Sequence, residues 1–292
     1  MAHPGISVEE VSGRAAFRRF VELPHVLFRE EPRWSAPLAS WDKRRLDAHR
    51  NPFFEDGDAA YLLLRRRGTP AGRITAHVAA DNDEAGWFGF YDVVDDPACA
   101  AELVEAAAEW LRERGCTTMT GPVSFTADEE AGVLIDGFDV PGATGRAWHP
   151  PWYADGLRGA GLTELDGSHR RSWRLPATGP APLPASADVQ APPVIGAYRD
   201  SRLLIAGPPG SVVAVPDLSS VPGASAWQLA KRAKAGDWEG CVILRCDGEP
   251  AALVPALCAA AGEAGYSWVL APWTPNPADP PEAVHALFTL AL

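Results

Sequence analysis

Residues 87–96 read WFGFYDVVDD, and residues 100–115 follow with AAELVEAAAEWLRERG before 116–121, CTTMTG. An aromatic, apolar run that meets two acids and Pro97 predicts a strand leading through a turn into a helix. Leu103, Val104, Ala107, Ala108 and Leu111 recur at helical spacing, and Glu102, Glu105, Glu109, Arg112 and Glu113 are left for water. Gly115 stops the helix, because a left-handed residue costs glycine little. CTTMTG then returns as a strand. The order strand, helix, strand predicts a crossover packed on one side of a sheet, so the chain is α/β.

Working outward, ISVEEV predicts a first strand and residues 14–28 a helix that Pro24 should kink or interrupt. REEPRWSAPLASWDKRRLDAHRNPFF mixes turn residues with aromatic anchors and reads as an arm covering the first sheet. Its DKRRLDAHR run is compatible with phosphate binding but better explained as a solvated helix face. AAYLLLRRRG and AGRITAHVAA make an antiparallel pair, Asp81-Asn82-Asp83 a turn. His77 is expected to be a hydrogen-bonded structural histidine. The Pro/Ala-rich stretch 176–193 marks a linker between residues 1–175 and 194–292.

The second unit repeats the pattern of the first: GCVILRCDGE, then AALVPALCAAAGEAG, then YSWVLAP. Pro216 must sit at an edge, end or bulge of its strand, and AVHALFTLAL reads as a last helix or terminal packing segment. The formal charge of −12 argues against a nucleic-acid surface. The five cysteines form no zinc framework and suit reduced thiols in the cytoplasm, and no apolar run is long enough for a membrane span. No metal requirement is expected. The Ala, Gly, Pro and Arg content suits a GC-rich bacterial genome.

The segments DKRRLDAHRNPFF, AGRITAHVAADN, GWFGFYDVVDD, AAAEWLRERG, GPVSFTADEEAGVLIDGFD and HPPWYADGLRGAGLTE together resemble the GNAT (GCN5-related N-acetyltransferase) superfamily, in a group with an N-terminal arm. Residues 8–175 carry the resemblance, and 194–292 resemble a degenerate GNAT half. It implies tandem mixed sheets with flanking helices, and a cleft that takes acetyl-CoA or another acyl-CoA. Backbone donors after the fourth strand and at the next helix would receive the pyrophosphate, and a thioester acyl group would pass to an amine. The sequence departs from that pattern. Asp95 and Asp96 repel diphosphate and Pro97 has no amide proton, while in the second unit Arg245 and Gly248 keep a faint part of a cofactor-binding turn beside Asp247, Glu249 and Pro250.

The catalytic candidates are Asp92, Glu129, Glu130, His149 and Tyr153. Asp92 ends the aromatic strand and can orient an amine. Glu129 and Glu130 can act as a base or bind a cation, or can merely cap a helix start with Asp128. Tyr153 and His149 can move a proton, or can belong to a proline-led helix start. Phe88, Phe90, Tyr91 and Trp152 are candidates for the substrate wall. In a regular strand Phe88 shares a face with Phe90, and Tyr91 with Gly89.

The function expected is acyl transfer to a small amine-bearing metabolite of specialised metabolism. The alternatives are a CoA-independent cyclase, lyase or isomerase, and a ligand-binding pseudoenzyme. The partner expected is a small-molecule substrate, with no nucleic acid and no membrane, and a homodimer is compatible.

Overall fold

A computed structural model describes residues 3–37, 42, 44–79, 84–126, 129–177, 203–207, 210–217, 226–272 and 274–292. The Asp81-Asn82-Asp83 turn, Asp128 and most of the 176–193 linker lie outside the described residues.

The deciding stretch folds as expected. Strand β4 (Ala85–Val93) leads into helix α2 (Pro97–Arg112) and returns as β5 (Thr118–Gly121). Asp96 caps the helix by accepting a hydrogen bond from the Ala98 N–H at 2.9 Å, with Pro97 next to it. Leu103 and Leu111 are fully buried against the sheet, each contributing about 1.5–3 kcal/mol. Gly115 takes φ 80°, the left-handed stop its position required.

The first sheet runs β1-β2-β3-β4-β5-β14-β7. Its members are β1 (Ile6–Glu10), β2 (Asp58–Arg66), β3 (Thr69–Val78), β4, β5, β7 (Thr163–Glu164) and β14 (Phe288–Ala291). The second sheet runs β6-β13-β8-β12-β11-β10-β9. It comprises β6 (Val133–Asp136), β8 (Arg170–Pro176), β9 (Leu203–Gly207), β10 (Gly210–Asp217), β11 (Gly240–Asp247), β12 (Trp268–Ala271) and β13 (Ala283–Ala286). Helix α1 (Gly13–Leu27) covers the first sheet and α3 (Trp152–Gly159) packs beside α2; α4 (Ala226–Ala235) and α5 (Pro250–Glu263) belong to the second half.

The repetition seen in the sequence is a repetition of hydrogen bonding. Ala85–Trp87 pair in parallel with Thr118–Thr120, and Gly240–Val242 pair in parallel with Trp268–Leu270. In each half the first strand of the parallel pair is bulged against the strand before it, opposite Arg73–Thr75 on β4 and opposite Val213–Ala214 on β11.

The halves exchange strands. β6 and β8, from before residue 177, join the second sheet, while β14 from the C-terminus lies between β5 and β7 of the first. AVHALFTLAL is therefore neither a helix nor passive packing. Leu287 is the switch between two four-residue strands, its N–H bonded to the Ser168 hydroxyl and its carbonyl to the Leu165 N–H. Two ladders satisfy more backbone groups than a short terminal helix with frayed ends could.

Three local expectations are corrected. Helix α1 continues through Pro24 to Leu27. No helix follows Glu129 and Glu130, where the chain enters strand β6, so the capping reading fails. The DKRRLDAHR run is solvated only in part: Asp42, Arg45 and Leu46 are buried, while Ala48, His49 and Arg50 are exposed. Pro216 behaves as expected: β9 pairs only with Gly210–Ala214, so β10 is uncovered on that side at Pro216.

Candidate functional site

The strand β4 is not regular. Phe90 sits at φ 46°, a conformation that costs an aromatic residue about 1–3 kcal/mol, and the β3–β4 register breaks opposite it. The extra residue turns the strand over. Phe88 and Tyr91 share one core cluster, with rings 6.3 Å apart, and Phe90 belongs to the cluster on the other face. The expected Phe88–Phe90 pairing is thus overturned by the bulge.

The bulge brings Phe90, Tyr91 and Asp92 to the wall of a cleft. The arm closes one side with Trp34, Ser35, Asp42 and Arg45. The arm is tied to the facing loop by Gly142 N–H to the Arg33 carbonyl at 3.0 Å and by the Ser35 hydroxyl to the Gly142 carbonyl at 3.2 Å. Glu130, Trp148 and His149 form the far wall, and Trp238 of the second half closes the rim.

Asp92 is saturated. Arg73 Nε donates to its Oδ2 at 2.6 Å, and the Tyr153 hydroxyl donates to Oδ1 at 3.2 Å. The same hydroxyl accepts the Val93 N–H at 3.0 Å. Burial, reinforced by the Asp92 charge, pushes the Tyr153 phenol well above its ordinary range, so it stays protonated. Arg73 also donates to the Phe20 carbonyl at 3.0 Å and lies between the rings of Phe20 and Phe90.

Glu130 is held more loosely. Arg45 gives its short contact, 2.6 Å, to Asp42 and stands 3.5 Å from Glu130. His149 Nε2 is 3.7 Å from the other Glu130 oxygen. His149 Nδ1 accepts the Leu134 N–H at 3.2 Å, so the neutral ring carries its proton on Nε2, facing Glu130. Burial alone would raise the Glu130 pKa. The contact with His149 and the charges of Arg45 and Arg73 outweigh it and hold the carboxyl down at about 2. Its side chain is still 29% exposed to the cleft.

Of the residues the sequence singled out, Asp92, Glu130, His149, Phe90 and Tyr91 meet on the cleft wall. Tyr153 stands one hydrogen bond behind Asp92. Glu129 and Phe88 are wholly buried, and Trp152 packs outside the cleft with its indole N–H 3.5 Å from the Val93 carbonyl. Arg245 and Gly248 lie at the far end of β11 and beyond it, away from this wall. The sequence reading missed Asp42, Arg45 and Arg73. An arginine inside the apolar strand AGRITAHV was the available signal for Arg73.

Among the described residues, the place where β11 and β12 part is filled by side chains. Ala143 packs there on Val215, Val242, Leu244 and Leu270, and Asp217 accepts both the N–H and the hydroxyl of Thr144, at 3.0 and 2.5 Å.

The diphosphate of an acyl-CoA does not fit the helix ends that this chain builds. At α2 the Asp96 carboxylate already occupies the Ala98 N–H and pairs with Arg66 at 2.9 Å, and Pro97 donates nothing. At α5, Pro250 is the first helical residue and the Ala252 and Leu253 N–H groups bond back to the Glu249 carbonyl.

Two mixed sheets, each built on a parallel strand–helix–strand unit, define a tandem GNAT-like fold. A tandem GNAT protein from the clavulanic acid biosynthesis pathway superposes with a TM-score of 0.54 at 13% identity, covering 98% of each chain. Among curated proteins, a bacterial ceramide synthase of Caulobacter vibrioides is 36% identical over 155 residues, 51% of this chain and 40% of that protein. Protein YghO of Escherichia coli is 33% identical over 142 residues, 47% of this chain and 36% of its own length. The matched segments thus span well under half of these relatives. No family model matches the chain. Among the described residues no helix is long and apolar enough to cross a membrane.

Proposed function

We propose that the chain transfers an acyl group from a thioester to the amine of a small acceptor held in the cleft. One observation carries this reading: the cleft sets three carboxylates, Asp42, Asp92 and Glu130, against two guanidiniums, Arg45 and Arg73. Arg73 is committed to Asp92 and Arg45 to Asp42, so the excess negative charge resides on Glu130, facing aromatic walls. An ammonium group with an apolar body matches that environment. The ceramide synthase similarity supports it, because a ceramide is an amide formed on an amine.

With an acidity near 2, Glu130 is too weak a base to deprotonate an ammonium; it attracts and orients the acceptor. The bound ammonium first gives one proton to water; attack by the resulting neutral amine on the thioester carbonyl then forms the C–N bond and breaks the C–S bond, and a second proton from nitrogen ends on the departing sulfur. The Nε2–H of His149, 3.7 Å from Glu130, is the donor we assign to the carbonyl oxygen as charge develops on it.

A proton-transfer enzyme without an acyl donor is the weaker reading, since it needs a base of intermediate strength, whereas Glu130 is held down at about 2 and both Asp92 oxygens already accept hydrogen bonds. The test is mass spectrometry of amide products from a panel of primary amines with S-acyl-N-acetylcysteamine and acyl-CoA thioesters. Amide that disappears in Glu130→Gln supports the proposal. No amide from any pairing refutes it.

A further inference from the structure

We infer that the acyl donor does not enter between β4 and β5 with a diphosphate on α2. It enters through the arm-side mouth beside Trp34 and Trp238, as a thioester recognised without a nucleotide. The inference rests on the acyl-transfer reading and specifies the donor and its route.

Three barriers close the other route. Beyond the parallel pairs, β4 and the chain leaving β5 stay joined: the Val123 N–H donates to the Phe88 carbonyl at 2.7 Å. Gly89 lies so close to the Val123 carbonyl that a Cβ there would stand 2.1 Å from its oxygen. An extended thiol arm inserted at this point would have to part backbone from backbone.

Further along, the edge of β4 facing away from β3 is already satisfied. The Val93 N–H donates to the Tyr153 hydroxyl, and the Val93 carbonyl faces the Trp152 indole N–H at 3.5 Å. Both partners sit on α3, so α3 takes the edge positions that an incoming amide-bearing arm would pair with. Helices α2 and α3 also touch: a Cβ on Gly156 would be 3.2 Å from Ala100 Cβ and 3.3 Å from the Tyr91 hydroxyl.

The third barrier is electrostatic. Asp96 caps α2 with its own carboxylate, using the positive helix end that would otherwise attract a phosphate. By contrast, Trp34 of the arm, Ala143 and Thr144 of the loop, and Trp238 all line the cleft. A thioester arriving there reaches Glu130 and His149 without crossing the sheet.

The full-length, ¹⁵N-labelled protein is titrated separately with CoA, inorganic diphosphate and S-acetyl-N-acetylcysteamine. The expected result is that the thioester shifts the indole N–H signals of Trp34 and Trp238, while all three probes leave the Ala98, Cys99 and Ala100 amides unchanged. In turnover, the acyl-CoA and the N-acetylcysteamine thioester of the same acyl group give kcat/KM values within about threefold of each other. Saturable shifts of the α2 amides by CoA, with diphosphate competing, overturn the inference. If no probe moves the indoles, the arm-side entry is refuted. Absence of amide product with every donor refutes the acyl-transfer reading separately, because the amide map does not depend on turnover.

Discussion

His77 makes a measurable demand on the fold. It is 1% exposed, its ring lies edge-on to Phe53 at 5.5 Å and 5.2 Å from Phe125, and among the described residues neither nitrogen has a hydrogen-bond partner. The expectation of a hydrogen-bonded histidine is corrected here, since an aromatic cluster surrounds it. Burial pushes its pKa down to about 3, so the folded protein keeps it neutral where the unfolded chain protonates it near 6.5. A depressed folded-state pKa makes a stability contribution that is complete above 6.5 and is lost as pH falls from there toward 3. At about pH 5 the unfolded chain gains roughly 1.5 pH units of protonation free energy, about 2 kcal/mol from this one residue. His77→Phe keeps the ring, removes the titration and removes two unpaired polar atoms from the core. Urea unfolding at about pH 7.5 and pH 5 is expected to show the wild type losing about 2 kcal/mol more than the variant. His285, whose pKa burial also lowers to about 3, stays in both proteins and cancels. Equal losses in the two proteins would mean that His77 finds a proton acceptor or water in solution, and the reasoning would fail.

Glu130→Gln removes the unbalanced charge and is expected to lower kcat/KM for amide formation by about 100-fold, or about 2.7 kcal/mol, as read by steady-state kinetics. Because the wild-type carboxyl is held near 2, the pH–rate profile should show no carboxylate inflection between about pH 4 and 6. Arg73→Met strands the Asp92 charge in the cleft wall, and chemical denaturation should show a loss of about 3–5 kcal/mol. Gly89→Ala places a methyl group against the Val123 carbonyl, where neither backbone can yield cheaply, and calorimetry should show a loss above about 3 kcal/mol.

What the sequence disclosed follows from how local each feature is. The β4–α2–β5 unit was legible because Leu103 to Leu111 repeat at helical spacing and Gly115 marks the end, both properties of a single segment. The repeat in the second half was legible for the same reason. The bulge at Phe90 was not, because FGFY offers apolar residues to both faces and the alternation carries no trace of an extra residue. Asp42 and Arg45 looked solvated because alternating charges usually are. Their burial depends on the arm folding over Phe90, whose ring lies 5.1 Å from the Arg45 guanidinium. β13 and β14 were illegible for a further reason. AVHALFTLAL suits a helix or a strand, and the choice is made by open ladder positions on β6, β8, β5 and β7, more than a hundred residues away.

That strand exchange makes each repeated unit depend on the other. The second half contributes β14 to the first sheet, where Phe288 is fully buried opposite Gly121, and it places Trp238 at the rim of the cleft. In return, the first half sends the Gly142–Gly145 loop into the place where β11 and β12 diverge. That one loop therefore plugs the second unit's opening with Ala143 and Thr144 while its other side walls the first unit's cleft. Reopening the second site would unmake the wall of the first, and the two units are locked into unequal roles by the same four residues.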